Sequence, residues 1–168
     1  MFGKGAGRVK KVKATMNKRG FTLVEMLIVM VIIAIVASIV LPRVLGARQR
    51  ANETNTRNSL DEMRKAVKEF EADCGAYPAT LADITARTAP SSGIVWVGTG
   101  TGTRTIDSLD FHGPYLDNMA DGVLPVNLLT HGSAEGTDWI YNTTTMLGMV
   151  SLPPGLGNDS NGFPYSNW

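Results

Sequence analysis

The sequence predicts an α+β protein: a long N-terminal α-helix, apolar in its first half and amphipathic in its second, packed against a small C-terminal antiparallel β-sheet. Three observations predict it. An uninterrupted apolar run, FTLVEMLIVMVIIAIVASIVL, spans Phe21 to Leu41. Apolar residues then recur at alternating spacings of three and four, at Leu60, Met63, Val67, Phe70 and Cys74. From residue 76 the composition turns to Gly, Thr, Asn and Asp, with short apolar stretches between turn signals.

The first run spans about 30 Å as a helix, the thickness of a bilayer core. Its only polar residues are Thr22, Glu25 and Ser38. An ordinary secretory signal would place a small-residue cleavage site after the apolar stretch, and Ala37-Ser38 is one candidate. The run is long for a signal, however, and continues into a helical pattern. Pro42 removes the hydrogen bond to the Ser38 carbonyl, so the helix either stops or kinks there. The resumed patterning favours a kink, with Pro42 and Gly46 as the weak point.

In the second half the 60–74 stripe occupies one helical face, as a core-packing stripe does. Asp61 and Lys65 are spaced for an i,i+4 pair in the favourable order. Gly75 ends the helix and Tyr77-Pro78 marks the exit. Phe70 is the one aromatic between Phe21 and Tyr77, so no row of stacked rings follows the helix. The resulting divisions are a basic leader over 1–20, an apolar helix over 21–42, an amphipathic helix over 43–75 and a globular domain over 76–168.

Within 76–168, Ala79 to Arg87 reads as a short helix and Ile94-Val95-Trp96-Val97 as a strand. Gly98-Thr99-Gly100-Thr101-Gly102 reads as a mobile polar loop; it lacks the lysine and following helix of a phosphate-binding loop. Asp138-Trp139-Ile140-Tyr141 and Met146-Leu147-Gly148-Met149-Val150 read as two antiparallel strands joined by residues 142–145. Laid on the stripe, such a sheet buries both apolar faces.

Charge is divided unevenly. Of the sixteen Lys and Arg, seven lie in the first twenty residues, which contain no acid. Nine bases then face fifteen acids in residues 21–168, a net of −6. A basic head on an acidic body is not the footprint of a nucleic-acid binder. It fits the positive-inside rule, with the N-terminus in the cytoplasm and the body outside. Cys74 is the single cysteine, so no intrachain disulfide forms.

Enzymatic signals are sparse. His112 and His131 each stand alone, without a zinc-protease, nucleophile-elbow or Cys/His metal spacing. The sequence points to no enzyme and to no cofactor. The segment from Gly157 to Tyr165 is oxygen-rich, which makes Asp159 and Asn161 weak calcium candidates, although no Glu closes the site and such residues also simply make turns. Asn52-Glu53-Thr54 and Asn142-Thr143-Thr144 fit a glycan acceptor pattern, weak evidence in a bacterial-type protein.

The stretch in front of the apolar run carries the most specific signal. Lys18-Arg19-Gly20-Phe21-Thr22-Leu23-Val24-Glu25 resembles the cleavage motif of type IV prepilins and type II secretion pseudopilins. The resemblance implies a pilin fold and a cut by prepilin peptidase between Gly20 and Phe21, with Phe21 then N-methylated. It implies a homopolymeric helical filament, an inner-membrane assembly platform and an ATPase. Storage in the inner membrane would precede an extracellular or periplasmic filament. Met16 to Gly20 looks like a complete short leader, so both Met1 and Met16 stand as candidate starts. Similar pilins unwind locally near the position of Pro42 and Gly46. The resemblance is strong over about residues 16–78 and looser beyond. There Gly113-Pro114-Tyr115-Leu116, Leu124-Pro125-Val126-Asn127 and Trp139-Ile140-Tyr141-Asn142 follow the layout of G-type major pseudopilins. Leu128 stands where that layout has a proline, so the loop departs from it.

Physical chemistry adds a reason for the match. Glu25 lies one turn into a membrane segment, where an ionised side chain costs roughly a few kcal/mol, and no base lies within the run. Cleavage before Phe21 creates an α-amine that can meet Glu25 of a neighbouring subunit. The plainer alternative is that Glu25 reaches the membrane interface, aided by the helix dipole. The expected function is therefore a pilus subunit with roles such as cell adhesion, with the major pseudopilin of a type II secretion system as a close rival. A signal-anchored monomeric binding or sensor domain is the alternative of another class.

Overall fold

A computed structural model of the chain describes residues 20–168. The basic leader and both candidate starts lie outside the described residues. One helix, α1, runs Leu23–Cys74. It is followed by β1 (Tyr77–Pro78), a 3₁₀ turn (Leu81–Thr85), β2 (Ser92–Val97), β3 (Gly100–Thr105), β4 (Ile140–Asn142), β5 (Met149–Ser151) and a second 3₁₀ turn (Tyr165–Asn167). The chain divides into two units at Pro42/Arg43. This is the α+β architecture the sequence predicts, one long helix followed by small antiparallel sheets.

α1 passes through Pro42 without ending. It stops where the glycine signal places its end: Gly75 has φ 62 and its amide donates to the Glu71 carbonyl at 2.9 Å. A residue with a side chain is strained at that φ, so glycine closes the helix at least cost. The predicted stripe is the core: Leu60, Met63, Val67, Phe70 and Cys74 are all buried, as are Thr56 and Ala66. Leu60, Met63, Ala66 and Val67 pack with Leu81, Ile84, Trp139, Val150 and Leu152. A smaller cluster joins Phe70, Cys74 and Ile106. On it Phe70, Phe111 and Tyr115 meet edge to face, with ring centroids 5.4–6.0 Å apart.

Two small sheets complete the unit, a three-stranded β1-β2-β3 and a two-stranded β4-β5, antiparallel throughout. The second is the hairpin predicted around residues 142–145. The segment 98–102, expected to be a mobile loop, is largely strand: β3 pairs with β2 from Ser92↔Thr105 to Val97↔Gly100. Only Gly98 and Thr99 form the turn, with Gly98 at φ 63, the left-handed backbone that a two-residue hairpin demands. Thr101, Thr103 and Thr105 supply β-branched residues at period two, a signal hidden by the intervening glycines.

Two local expectations also change. The short helix expected over Ala79–Arg87 is a 3₁₀ turn of five residues. Its bonds are of the i→i+3 kind, and the Ile84 carbonyl is taken by the amides of Tyr115 and Leu116 at 2.9 and 3.2 Å. The Asp61–Lys65 pair does not form. Asp61 faces Arg64 at 3.7 Å and Lys65 faces Glu69 at 3.5 Å. Arg64 is held in place because its guanidinium also donates to the carbonyls of Val150 at 2.9 Å and Trp168 at 2.7 Å.

The loop layout that resembles pseudopilins converges around Trp139. Its indole donates to the Pro125 carbonyl at 2.8 Å, and the Asn127 amide donates to the Asp138 carbonyl at 2.7 Å. Despite the missing proline, Leu128 is tied to α1: its amide donates to Thr56 Oγ1 at 3.2 Å.

Glu53 is a buried carboxylate on α1 that gathers the C-terminal segment. It accepts from the Ser160 amide at 2.9 Å, the Ser160 hydroxyl at 2.6 Å, the Tyr165 hydroxyl at 2.9 Å and the Gln49 amide at 3.1 Å. Burial pushes its pKa up, but the donors from Ser160, Tyr165 and Gln49 outweigh burial, so the carboxyl ends below its usual range. A lowered folded-state value contributes stability that is present above the unfolded value, about pH 4.3, and lost as pH falls through the folded one. Glu53→Ala strands several buried donors and is expected to destabilise by roughly 3 kcal/mol. Denaturant unfolding of the full chain in detergent reads this loss, and acidification below about pH 4 should destabilise the wild type more than Glu53→Gln.

Candidate processing and assembly segment

From Phe21 to Leu45 every large apolar side chain is exposed, Phe21 at 78% and Leu23 at 81%. Burying such a side chain is worth roughly 1.5–3 kcal/mol. Summed over this segment, the unburied apolar surface outweighs the ~5–15 kcal/mol that stabilises a whole fold. Among the described residues nothing covers it. α1 is long and apolar enough here to cross a membrane.

The polar exceptions in this stretch are organised. The Glu25 carboxylate accepts from the Thr22 amide at 2.8 Å and the Thr22 hydroxyl at 2.9 Å through the same oxygen, Oε2. In return the Glu25 amide donates to Thr22 Oγ1 at 3.2 Å. This reciprocal pair is a capping box: it satisfies amides that the start of a helix leaves without intrahelical partners. Ser38 donates its hydroxyl to the Ile35 carbonyl at 2.7 Å, which hides a polar group inside an apolar face. Glu25 is thus not bare. Among the described residues its second oxygen, Oε1, accepts no hydrogen bond. Thr22 is the capping residue that the sequence reading passed over, although Thr22-Leu23-Val24-Glu25 has the Thr-x-x-Glu spacing that announces such a box.

Gly20 and Phe21 precede α1 and are exposed, outside the helix. The segment where the cut is expected is therefore accessible. Gly46 lies in α1 with open space around its Cα.

Residues 15–41 match the family described as the prokaryotic N-terminal methylation motif. The chain carries that motif. Its similarity to curated proteins covers about two fifths of the chain. It is 41% identical over 66 residues to the type IV wide pilus major component PilA4 of Thermus thermophilus, across 39% of this chain and 50% of that protein. It is 34% identical over 68 residues to the type II secretion system core protein G of Escherichia coli, across 40% of this chain and 47% of that protein. With the corresponding protein of Vibrio cholerae it shares 32% over 68 residues, 40% of this chain and 47% of that one. The chain spans about half the length of the curated relatives it matches. No solved structure matches it. The methylation motif and these relatives together bear out the resemblance to type IV pilins and to the G proteins of type II secretion.

The calcium candidates stand in a turn. Asp159 Oδ1 accepts from the amides of Asn161 and Phe163, both at 2.9 Å. Turn chemistry accounts for these residues. Among the described residues no group of three His, Cys, Asp or Glu is placed to hold a metal. His112 Nδ1 lies 3.4 Å from Asp73 at the surface, and Cys74 is a buried free thiol whose pKa burial pushes up.

Thr22→Val keeps the shape of the side chain and removes the cap. It is expected to cost the helix start about 1 kcal/mol. Amide hydrogen exchange at Leu23 to Glu25 in micelles should then run roughly five-fold faster, with residues 60–74 unchanged.

Proposed function

We propose that this chain is a structural subunit of a type IV pilus-like filament, released from its leader between Gly20 and Phe21, methylated at Phe21 and polymerised through the apolar half of α1. The observation that carries this reading is a single capped carboxylate, Glu25, one turn into an otherwise apolar and uncovered helix, within the methylation motif. Before assembly the lipid of the inner membrane covers the helix. In the filament, other copies of the same helix cover it. The new α-amine of Phe21 meets the open oxygen of a neighbour's Glu25, and both charges are neutralised away from water. Pro42 and Gly46 give α1 a place to unwind as subunits pack, since neither supports the helix fully. Prepilin peptidase, an inner-membrane platform and an ATPase are the partners this pathway requires. The role is structural and not catalytic.

The major pseudopilin of a type II secretion system is the second reading, supported by the 34% identity to core protein G over 68 residues. Long surface fibres separate the first from the second; retention of secreted enzymes inside a deletion strain identifies the second.

Mass spectrometry of the mature protein is expected to find Phe21 first and N-methylated. A chain that keeps its leader while functioning would end the filament reading and leave the monomeric anchor. Glu25→Ala should leave cleavage intact and reduce sheared filament at least roughly ten-fold, the scale of one lost buried charge pair. Normal filament yield from that variant would show that the amine–carboxylate pair is dispensable.

A further inference from the structure

In the Arg43–Trp168 unit, a groove of about 430 Å³ opens beside the buried stripe of α1. Its floor is close-packed: Gly148 has φ 78, and a Cβ there would collide with the Tyr77 ring, so backbone and ring already touch. Its walls are apolar side chains left in water, Trp96 at 51%, Met146 at 58% and Met149 at 38% exposure. Its rim is basic, carrying Arg64 and Lys68, and no acid lines it. Arg64 has Asp61 beside it. Lys68 is in no ion pair among the described residues.

The same unit carries the converse shape. Leu109 is 83% exposed, more than any other large apolar side chain in it. It is presented by a turn in which the Leu109 amide donates to Asp107 Oδ1 at 3.0 Å and the Asp110 amide donates to the Asp107 carbonyl at 3.1 Å. Two carboxylates, Asp107 and Asp110, therefore flank one apolar knob. With that exposure, Leu109 does not fill the groove of its own chain.

We propose that Leu109 of one copy seats in the Trp96–Met146–Met149 groove of a second copy, with Asp107 and Asp110 facing Lys68 and Arg64. Knob and groove match in polarity and in charge, and methionine walls adapt to an aliphatic guest. The two surfaces are different patches of one molecule, so the contact is heterologous. Such a contact repeats without saturating and builds an open array. It rests on the filament reading and names the surface contact that would set subunit register, leaving most of the cohesion to the apolar helices.

The test uses the full chain in cells that assemble it. Leu109→Cys combined with Met146→Cys should give, on mild oxidation of sheared filaments, a ladder of covalent multimers. Either single variant should stay monomeric, and the wild type with only buried Cys74 is the control. Lys68→Glu and Asp110→Lys should each lower filament yield about ten-fold through like-charge apposition, and the two together should restore it to within about two-fold. Filaments without a ladder, or charge reversals whose losses add, would overturn the contact while leaving the filament intact. A ladder replaced by a bond within one chain would overturn it equally. A cleaved wild type that never polymerises would defeat the filament reading and this contact together.

Discussion

α1 must be stable in two kinds of surroundings at once, and that constraint organises the molecule. A single helix of 52 residues carries both parts. Residues 60–74 have a partner in their own chain, so one face is apolar and the other carries Asp61, Lys65 and Glu69. Residues 23–45 have no such partner, and their apolar side chains point in all directions. A helix apolar all round is stable only inside lipid or inside other protein. The first half therefore defines what must surround the molecule, and the second half defines what the rest of the chain must do.

What the rest of the chain does is cover one stripe with few regular strands. The five strands hold two to six residues each, and the only cysteine has no partner. Irregular segments are fixed instead by polar side chains of α1 and of the loops themselves. Glu53 holds residues 160 and 165, Thr56 holds 128, and Arg64 holds 150 and 168. Each bond ties backbone or side chain far away in sequence to the helix, so the helix acts as a ruler on which loops are registered. Trp139 plays the corresponding role from the loop side, fully buried with its indole satisfied by Pro125.

This division explains what could be read from the sequence. The helix was legible because periodicity and glycine are local signals: the stripe and the stop at Gly75 both appear where the spacing puts them. The β4–β5 hairpin was legible for the same reason. The β3 strand was not, because glycines at 100 and 102 resemble a loop, and only pairing with β2 makes them strand. The Asp61–Lys65 pair followed a sound spacing rule but lost to Arg64, which two distant carbonyls hold beside Asp61. Glu53 as a tail anchor was beyond local reasoning altogether, since Ser160 and Tyr165 lie more than 100 residues away. At the helix start the position was the opposite: Thr22 and Glu25 announced their box in the sequence, and attention to the membrane charge alone concealed it.

That box changes the energetics of the segment. A bare carboxylate in hydrocarbon would cost a few kcal/mol, and removing that cost would by itself drive association (roughly 2.5–3.5 kcal/mol per charge on insertion scales). Glu25, however, has two donors from Thr22 in the lone chain, so part of that cost is already offset. In the proposed filament the amine–Glu25 pair would then fix register more than supply the main drive. Lipid tails are as apolar as the helix, so burial alone does not favour one apolar surrounding over the other. What remains to favour a neighbour is close packing of the helices, the open oxygen of Glu25, and complementarity between the Arg43–Trp168 units. A capped carboxylate is stable enough to be stored and incomplete enough to be matched, which is what a reservoir subunit needs.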